Sequence, residues 1–334
     1  MLKIGVIGYG YWGPNIVRNF GAIKGVRVVS VCDRDPEALT RARRDHPGLA
    51  LYADYRDIAR DTAVDAVAIV TPVGTHYTLA KDCLGNGKHI FIEKPFTDDS
   101  RQADSLIALA ARKKLKIMVD HTFLFTGAVR RIKALIDANV LGRLYYYDST
   151  RVSLGLFQRD VNVIWDLAPH DFSIIDYLIK EKPVAIWAAG ASHFGRPRED
   201  IAYIIMRFKN DMIAHCNINW LSPVKVRSTL IGGEKKMLLW NDLEKDEKIK
   251  VYDKGVRIRG RAGIYKLLIE YRSGDMWSPR VDLTEALKIE SQYFVDCIVK
   301  DKRPLNDGEA GRRVVVMLEA AQRSLKKGGA VVKL

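Results

Sequence analysis

Five short apolar runs punctuate the first 122 residues, with polar, helix-like stretches between them. Lys3–Ile7, Val26–Val31, Ala66–Val70, His89–Ile92 and Lys116–Val119 are nearly continuous in apolar residues rather than alternating. A strand buried on both faces needs that pattern, and a parallel sheet covered by helices provides such faces. Pro36–Arg44 and Ser100–Lys113 read as two of the covering helices, the second opened by a Ser or Asp cap. This alternation predicts a doubly wound parallel α/β domain over residues 1–122.

The pattern then changes. A helix over Ala128–Ala138 leads into a strand at Leu144–Tyr147, and a second helix spans Ile164–Lys180. Strand-like runs follow in close succession. Ala202–Phe208 and Met212–Trp220 flank the turn Lys209-Asn210-Asp211; Val226–Ile231 and Lys236–Trp240 flank Gly232-Gly233-Glu234. Strands joined by tight turns predict a large, mostly antiparallel open sheet, so residues 123–334 are expected to form an α+β domain. Helices near Thr284–Val299 and Gly308–Lys326 are expected to pack back toward the first domain.

A chain of 334 residues suits two domains. Its 48% hydrophobic and 28% charged residues exclude wholesale disorder. The net charge of +14 is dispersed, which suits anionic small molecules without calling for nucleic acid, and no nucleic-acid motif is present. No apolar run reaches the length of about 18 residues that a membrane span needs. The chain starts directly on a strand pattern, so no cleavable signal is expected. Cys32, Cys83, Cys216 and Cys297 lie far apart with no CxxC pair, which supports neither a zinc knuckle nor a disulfide framework and points to a reduced, cytoplasmic setting.

Gly8-Tyr9-Gly10-Tyr11-Trp12-Gly13 follows the first apolar run and opens a helical stretch. In that context G-x-G-x-x-G reads as the phosphate loop of a Rossmann dinucleotide-binding domain. The first glycine permits the turn, the second lets backbone approach a pyrophosphate, and the third lets helix pack on strand. Unpaired N–H groups at the helix start favour the anion. Asp33 ends the second strand about 20 residues on, where a carboxylate can accept both ribose hydroxyls. A 2′-phosphate would meet a like charge there, so NAD is expected over NADP. Arg34 beside it keeps NADP open, since a guanidinium can bind that phosphate or stack on adenine.

Three further motifs add chemistry. Thr71-Pro72-Val73-Gly74-Thr75-His76 and Glu93-Lys94-Pro95 follow the third and fourth apolar runs, at the carboxyl edge of the predicted sheet where ligands bind. Asp166-Leu167-Ala168-Pro169-His170-Asp171 opens a helix of the second domain. With Asp120-His121-Thr122-Phe123 upstream and Trp220-Leu221-Ser222-Pro223-Val224-Lys225-Val226-Arg227 downstream, the ordered set resembles the glucose–fructose oxidoreductase, inositol dehydrogenase and MocA (Gfo/Idh/MocA) family over essentially the whole chain. Within that family it resembles the branch found among nucleotide-sugar enzymes, although Asp120 stands where that branch would have glycine.

The resemblance implies an NAD(P)-dependent dehydrogenase or reductase of sugars and polyols. It further implies nicotinamide in a cleft between the domains, a cis Lys94–Pro95 bond, and a homodimer or homotetramer covering the outer face of the second sheet. Cofactor contacts are expected from the Gly8–Gly13 loop, Asp33, Arg34, Thr71, Pro72, His76, Glu93 and Lys94. A structural role at a helix start is the alternative for His76.

Oxidising a carbinol needs a hydride acceptor and a base for the hydroxyl proton. His170 is the expected base, because imidazoles titrate near neutrality. Asp166 lies one helical turn earlier, placed to orient it or touch substrate. Lys94 can hydrogen-bond the reacting oxygen and stabilise charge developing there; a desolvated lysine could instead take the proton itself. The bland alternatives are a surface lysine before a turn, a core or capping histidine, and a helix N-terminal carboxylate. Substrate contacts are expected from Lys94, Asp166, His170 and His121, and from Arg151, Arg159 and Asn162 on a loop. No metal is expected, although His121, Asp166 and His170 could be imagined as ligands. Arg257, Arg259 and Arg261 read as a solvated strand edge, and Tyr145-Tyr146-Tyr147 as sheet packing. A non-catalytic dinucleotide-binding sensor is the competing class of function, which the joint presence of Lys94, Asp166 and His170 disfavours.

Overall fold

The apolar runs at the start of the chain become the strands of one parallel sheet. The computed structural model describes the chain apart from residues 156, 159, 194–197 and 263–265, and apart from the side chains of 257–262 and 266–270. Arg159 and the side chains of Arg257, Arg259 and Arg261 therefore lie outside the described residues. The chain divides into two units, Met1–Phe125 with Thr284–Glu319, and Thr126–Leu283 with Ala320–Leu334.

In the first unit the strands are β1 (Leu2–Ile7), β2 (Val26–Cys32), β3 (Ala50–Tyr52), β4 (Ala66–Ile69), β5 (His89–Glu93) and β6 (Ile117–Asp120). They lie in the order β3-β2-β1-β4-β5-β6, all pairs parallel. The order reverses at β1 and β4, the switch point beside which ligands bind in open parallel sheets. Every residue of β4 is fully buried, as its unbroken apolar run requires. The connecting helices are α1 (Gly13–Gly21), α2 (Pro36–Asp45), α3 (Tyr55–Arg60), α4 (Val73–Gly85) and α5 (Ser100–Lys113). Carboxylates start three of them: Asp35, Asp54 and Asp99 each accept a backbone N–H two residues on. A short 3₁₀ turn, Thr122–Phe125, ends this part of the chain. The edge strand β3 had no sequence signal, since only three residues pair and none is fully buried.

The second unit begins with α6 (Gly127–Asp137), β7 (Leu144–Leu154), α7 (Val163–Leu178) and β8 (Pro183–Ala191). It continues through β9 (Ile201–Phe208), β10 (Ile213–Asn219), β11 (Leu221–Gly233), β12 (Met237–Asn241), β13 (Ile249–Ala262) and β14 (Lys266–Trp277). With β15 (Val332–Lys333) they form a nine-stranded sheet in the order β14-β13-β12-β11-β7-β10-β9-β8-β15. All neighbours are antiparallel except β7 and β10. Both foreseen turns connect strands, and Asp211 in the first adopts a left-handed φ of 63°. Along β10, Ala214, Cys216 and Ile218 are buried against the face that carries α7, while Ile213 points away. The tyrosine cluster packs the sheet: a Cβ on Gly232 would sit 2.0 Å from the Tyr146 ring.

After β14 the chain forms α8 (Ala286–Val299) and α9 (Gly308–Lys326). Phe294 of α8 meets the rings of Phe20 and Phe91 at 6.0 and 5.6 Å, edge-on, inside the first unit. Gly311 brings α9 so close to β6 that a Cβ there would lie 2.6 Å from Val119 Cγ2. Residues Thr284–Glu319 belong to the first unit because their apolar faces complete its core, and α9 then ends in the second.

Candidate active site

The phosphate loop has the shape its glycines require. Gly8 has φ +100°, and a Cβ there would lie 2.1 Å from the Val70 carbonyl oxygen; one on Gly13 would lie 2.6 Å from the Gly8 oxygen. A Cβ on Gly10 would meet nothing within 4 Å, so this backbone stands open to an approaching group. No side chain caps α1, in contrast to α2, α3 and α5; Pro14 has no N–H, and Asn15 and Ile16 donate to the Trp12 carbonyl, so any anion at this end of α1 meets chiefly the open backbone of the loop. Tyr9 is fully buried and offers only backbone, whereas Tyr11 and Trp12 are exposed.

Asp33 sits at the end of β2. One carboxylate oxygen accepts the Tyr9 N–H at 2.6 Å and the other the Asp35 N–H at 2.9 Å. These bonds fix the carboxylate and leave each oxygen a lone pair for a hydroxyl. A cavity of about 340 Å³, within the usual range for ligand sites, is lined by Gly8, Gly10, Asp33, Arg34, Thr71 and Pro72 among others. The loop, the carboxylate and the cavity together fit the adenosine and pyrophosphate of a dinucleotide. Asp33→Ser is expected to lower the ratio of kcat/KM for NAD to that for NADP by about 10- to 100-fold, because a hydrogen bond to a charged group contributes about 1.5–3 kcal/mol. Parallel assays with both nucleotides check this; an unchanged ratio removes Asp33 from ribose recognition.

At the ends of β4 and β5 the structure takes the bracing alternative for His76. The ring is fully buried, with Nδ1 2.9 Å from the Pro95 carbonyl oxygen and Nε2 2.8 Å from that of Thr71. Burial pushes its pKa down, while the two carbonyls oppose that shift. The imidazole thus ties the Thr71 loop to the Lys94–Pro95 turn. That peptide bond is cis, as the resemblance implied. Lys94 itself is half-buried, and its backbone N–H donates to Glu93 Oε2 at 3.1 Å. His121 is buried at the start of the 3₁₀ turn.

In the second unit α7 carries both remaining chemical groups. Asn162 caps it, accepting the Trp165 N–H at 3.1 Å and donating to Glu199 and Gln322 at 2.7 Å each. Asp166 lies in the first turn and His170 one turn later, each half-buried and on one helical face. Pro169 between them removes an N–H and frees the Trp165 carbonyl from its helical partner. Trp220 Nε1 donates to Asp166 Oδ2 at 3.1 Å, which orients that carboxylate.

Two substrate-contact expectations are revised. Arg151 lies within β7, not on a loop. It is buried, with its Nε 2.7 Å from Asp171 Oδ2 in a largely desolvated ion pair. Asn162 is buried, and its amide is used in the cap and its two donations. Among the described residues no group of three or more His, Cys, Asp or Glu can hold a metal ion. No helix among them is long and apolar enough to cross a membrane.

Residues 2–121 match the family model of the oxidoreductase family with an NAD-binding Rossmann fold, and residues 129–239 match that of the GFO/IDH/MocA C-terminal domain. The chain belongs to the Gfo/Idh/MocA family. It is an NAD-dependent oxidoreductase of that family. It is 27% identical to UDP-N-acetylglucosamine 3-dehydrogenase of Acidithiobacillus ferrooxidans over 94% of each chain. It is 21% identical to myo-inositol 2-dehydrogenase of Thermotoga maritima over 98% of this chain and 97% of that one. Scyllo-inositol dehydrogenase of Lactobacillus casei, solved with NAD(H) and scyllo-inositol, superposes with a TM-score of 0.81 at 20% identity, covering 100% of this chain and 99% of that one.

Sequence reasoning missed three partners of these Gfo/Idh/MocA motifs. Trp220 was part of a quoted motif, but its link to Asp166 spans 54 positions and has no local signal. Glu290 adjoins Asp120, and Asn306 bonds Glu290 and the Val119 carbonyl; the sequence trace of that cluster is the carboxylate at a position expected to be glycine.

Proposed function

We propose that this protein transfers a hydride between NAD and a ring carbinol or ketone of a nucleotide-activated sugar, at the 3-position. The observation that carries this reading is the end-to-end similarity to the UDP-N-acetylglucosamine 3-dehydrogenase, together with the presence of Lys94, Asp166 and His170 at ordered strand and helix positions. Bound NAD supplies the hydride acceptor or donor. The Gly8–Gly13 loop and Asp33 hold it. The Lys94 ammonium hydrogen-bonds the reacting oxygen and stabilises its developing charge. His170 accepts the hydroxyl proton on oxidation and returns it on reduction, and Asp166, fixed by Trp220, orients the imidazole. The similarity to the inositol dehydrogenase favours a second reading, a free polyol or sugar as substrate by the same groups.

A screen of nucleotide sugars, free sugars and inositols, followed by absorbance of the reduced nicotinamide, separates the two. Turnover confined to inositols or free sugars overturns the nucleotide-sugar reading; no turnover of any carbinol or ketone overturns both and favours a dinucleotide sensor. The four described cysteines are free and buried, in keeping with a reducing compartment such as the cytoplasm. The outer sheet face exposes Tyr203, Ile213 and Leu230, apolar area that a second copy of the chain would cover. Light scattering that finds only monomer would contradict that assembly.

A further inference from the structure

Three carboxyl groups meet inside the first unit. Glu93 ends β5 and Asp120 ends β6, paired across the sheet; Glu290 comes from α8. All three are buried, Glu290 completely. Asp120 accepts the Thr122 hydroxyl and lies within hydrogen-bonding reach of both glutamates. Glu290 Oε1 accepts from Asn306 Nδ2 at 3.0 Å, and the same amide donates to the Val119 carbonyl at 2.6 Å. Glu290 Oε2 is buried without a hydrogen-bond partner, in the neighbourhood of Asp120. Glu93 Oε2 accepts the backbone N–H of Lys94.

An ionised carboxylate only accepts, so two carboxyls can bond each other only if one carries a proton. Two such bonds need two protons. The arrangement that satisfies every buried oxygen has Asp120 ionised, accepting from Thr122 and from protonated Glu93 and Glu290. Burial raises all three groups, the glutamates well above the usual carboxyl range, and the neighbouring Asp120 charge raises both glutamates further. Beside its own members the cluster has the Lys94 ammonium, which favours ionisation of Glu93 and Asp120, and the buried His121 next to Asp120 in the chain.

We propose that Asp120 and Glu290 are positioning residues: with Glu93 they form a buried chain of carboxyls sharing two protons, which fixes the backbone of Lys94 and thereby the aim of its ammonium. The link runs Glu290–Asp120–Glu93–Lys94 N–H and touches neither substrate nor NAD at its far end. It rests on the reading that Lys94 contacts the reacting oxygen.

The test uses the full-length protein with NAD. Asp120→Ala is expected to lower kcat about 10²-fold, as a displaced catalytic group does, with the dissociation constant for NAD within about twofold of wild type. Glu290→Gln reproduces a protonated glutamate, with an amide N–H for Asp120 and an oxygen for Asn306, and is expected to keep kcat within about twofold. Stability supplies a readout independent of turnover. Protonated glutamates with raised pKa values contribute stability that is full below the ordinary carboxyl range and lost as pH rises through the raised values. Tm of the wild type should fall with rising pH across that window, and Glu290→Gln should flatten the fall. Equal pH dependence in Glu290→Gln and wild type overturns the shared protons. Wild-type kcat in a folded Asp120→Ala overturns the positioning role. If Lys94 proves dispensable while the flattening is seen, the catalytic reading fails and the proton-sharing cluster stands.

Discussion

Lys94→Ala is expected to bind NAD as the wild type does and to turn over about 10²–10⁴-fold more slowly, the range lost when a positioned proton-handling or charge-stabilising group is removed. The expectation follows from where the two functions sit. The glycine loop, Asp33 and the cavity beside them are built by β1, β2, α1 and the Thr71 loop, whereas Lys94 stands at the end of β5. Truncating its side chain leaves the backbone N–H bond to Glu93 and the His76 brace in place, since both use main-chain atoms. The cofactor site therefore has no reason to change. Titration calorimetry with NAD, beside initial rates on the substrate found by screening, measures both halves. Undiminished turnover removes Lys94 from the chemistry. Lys94→Arg should not rescue, because a planar guanidinium cannot occupy the position of a compact ammonium at a defined oxygen.

The parts legible in the chain are those fixed by local pattern. Continuous apolar runs marked β1, β2, β4, β5 and β6, and the glycine spacing marked the loop, because burial on two faces and a tight turn each restrict residue type locally. The strand β14 and the edge strand β3 escaped, and β13 was read only at its arginine row: partly exposed strands place weaker demands on hydrophobic patterning. The particular partners of the C-terminal helices were not legible, for a different reason. Phe294 carries no mark that it belongs with Phe20, over 270 positions away, rather than with the strands preceding it. Candidate site residues followed the same division. Asp33 and the Asp166–His170 spacing were readable from a strand end and one helical turn. Arg151 looked like an anion contact because its charge is visible in sequence, whereas its partner Asp171 is recognised only when β7 packs beneath α7. Buried pairs of this kind hide from composition, since nothing in a list of residues says which charges leave water together.

His170→Ala is expected to lower kcat for oxidation by about 10²–10⁴-fold, the usual contribution of a general base, again without weakening NAD binding. The helix holding it should survive the change. Asn162 caps α7, Trp220 holds Asp166, and the Arg151–Asp171 ion pair anchors the next residue, so the imidazole can be removed without releasing its support. Added imidazole should restore part of the rate in the variant, because a small base can occupy the space left by the side chain. Comparable rescue of Lys94→Ala by imidazole, with none for His170→Ala, would exchange the roles assigned to the two residues. Direction offers a further constraint. The variant cannot alter the equilibrium between carbinol and ketone, so a group that takes the proton on oxidation must deliver it on reduction. The Haldane combination of forward and reverse rate constants must stay fixed in the variant. A residue acting only in substrate binding would raise KM at constant kcat, whereas removal of the proton acceptor lowers kcat in both directions wherever chemistry limits turnover.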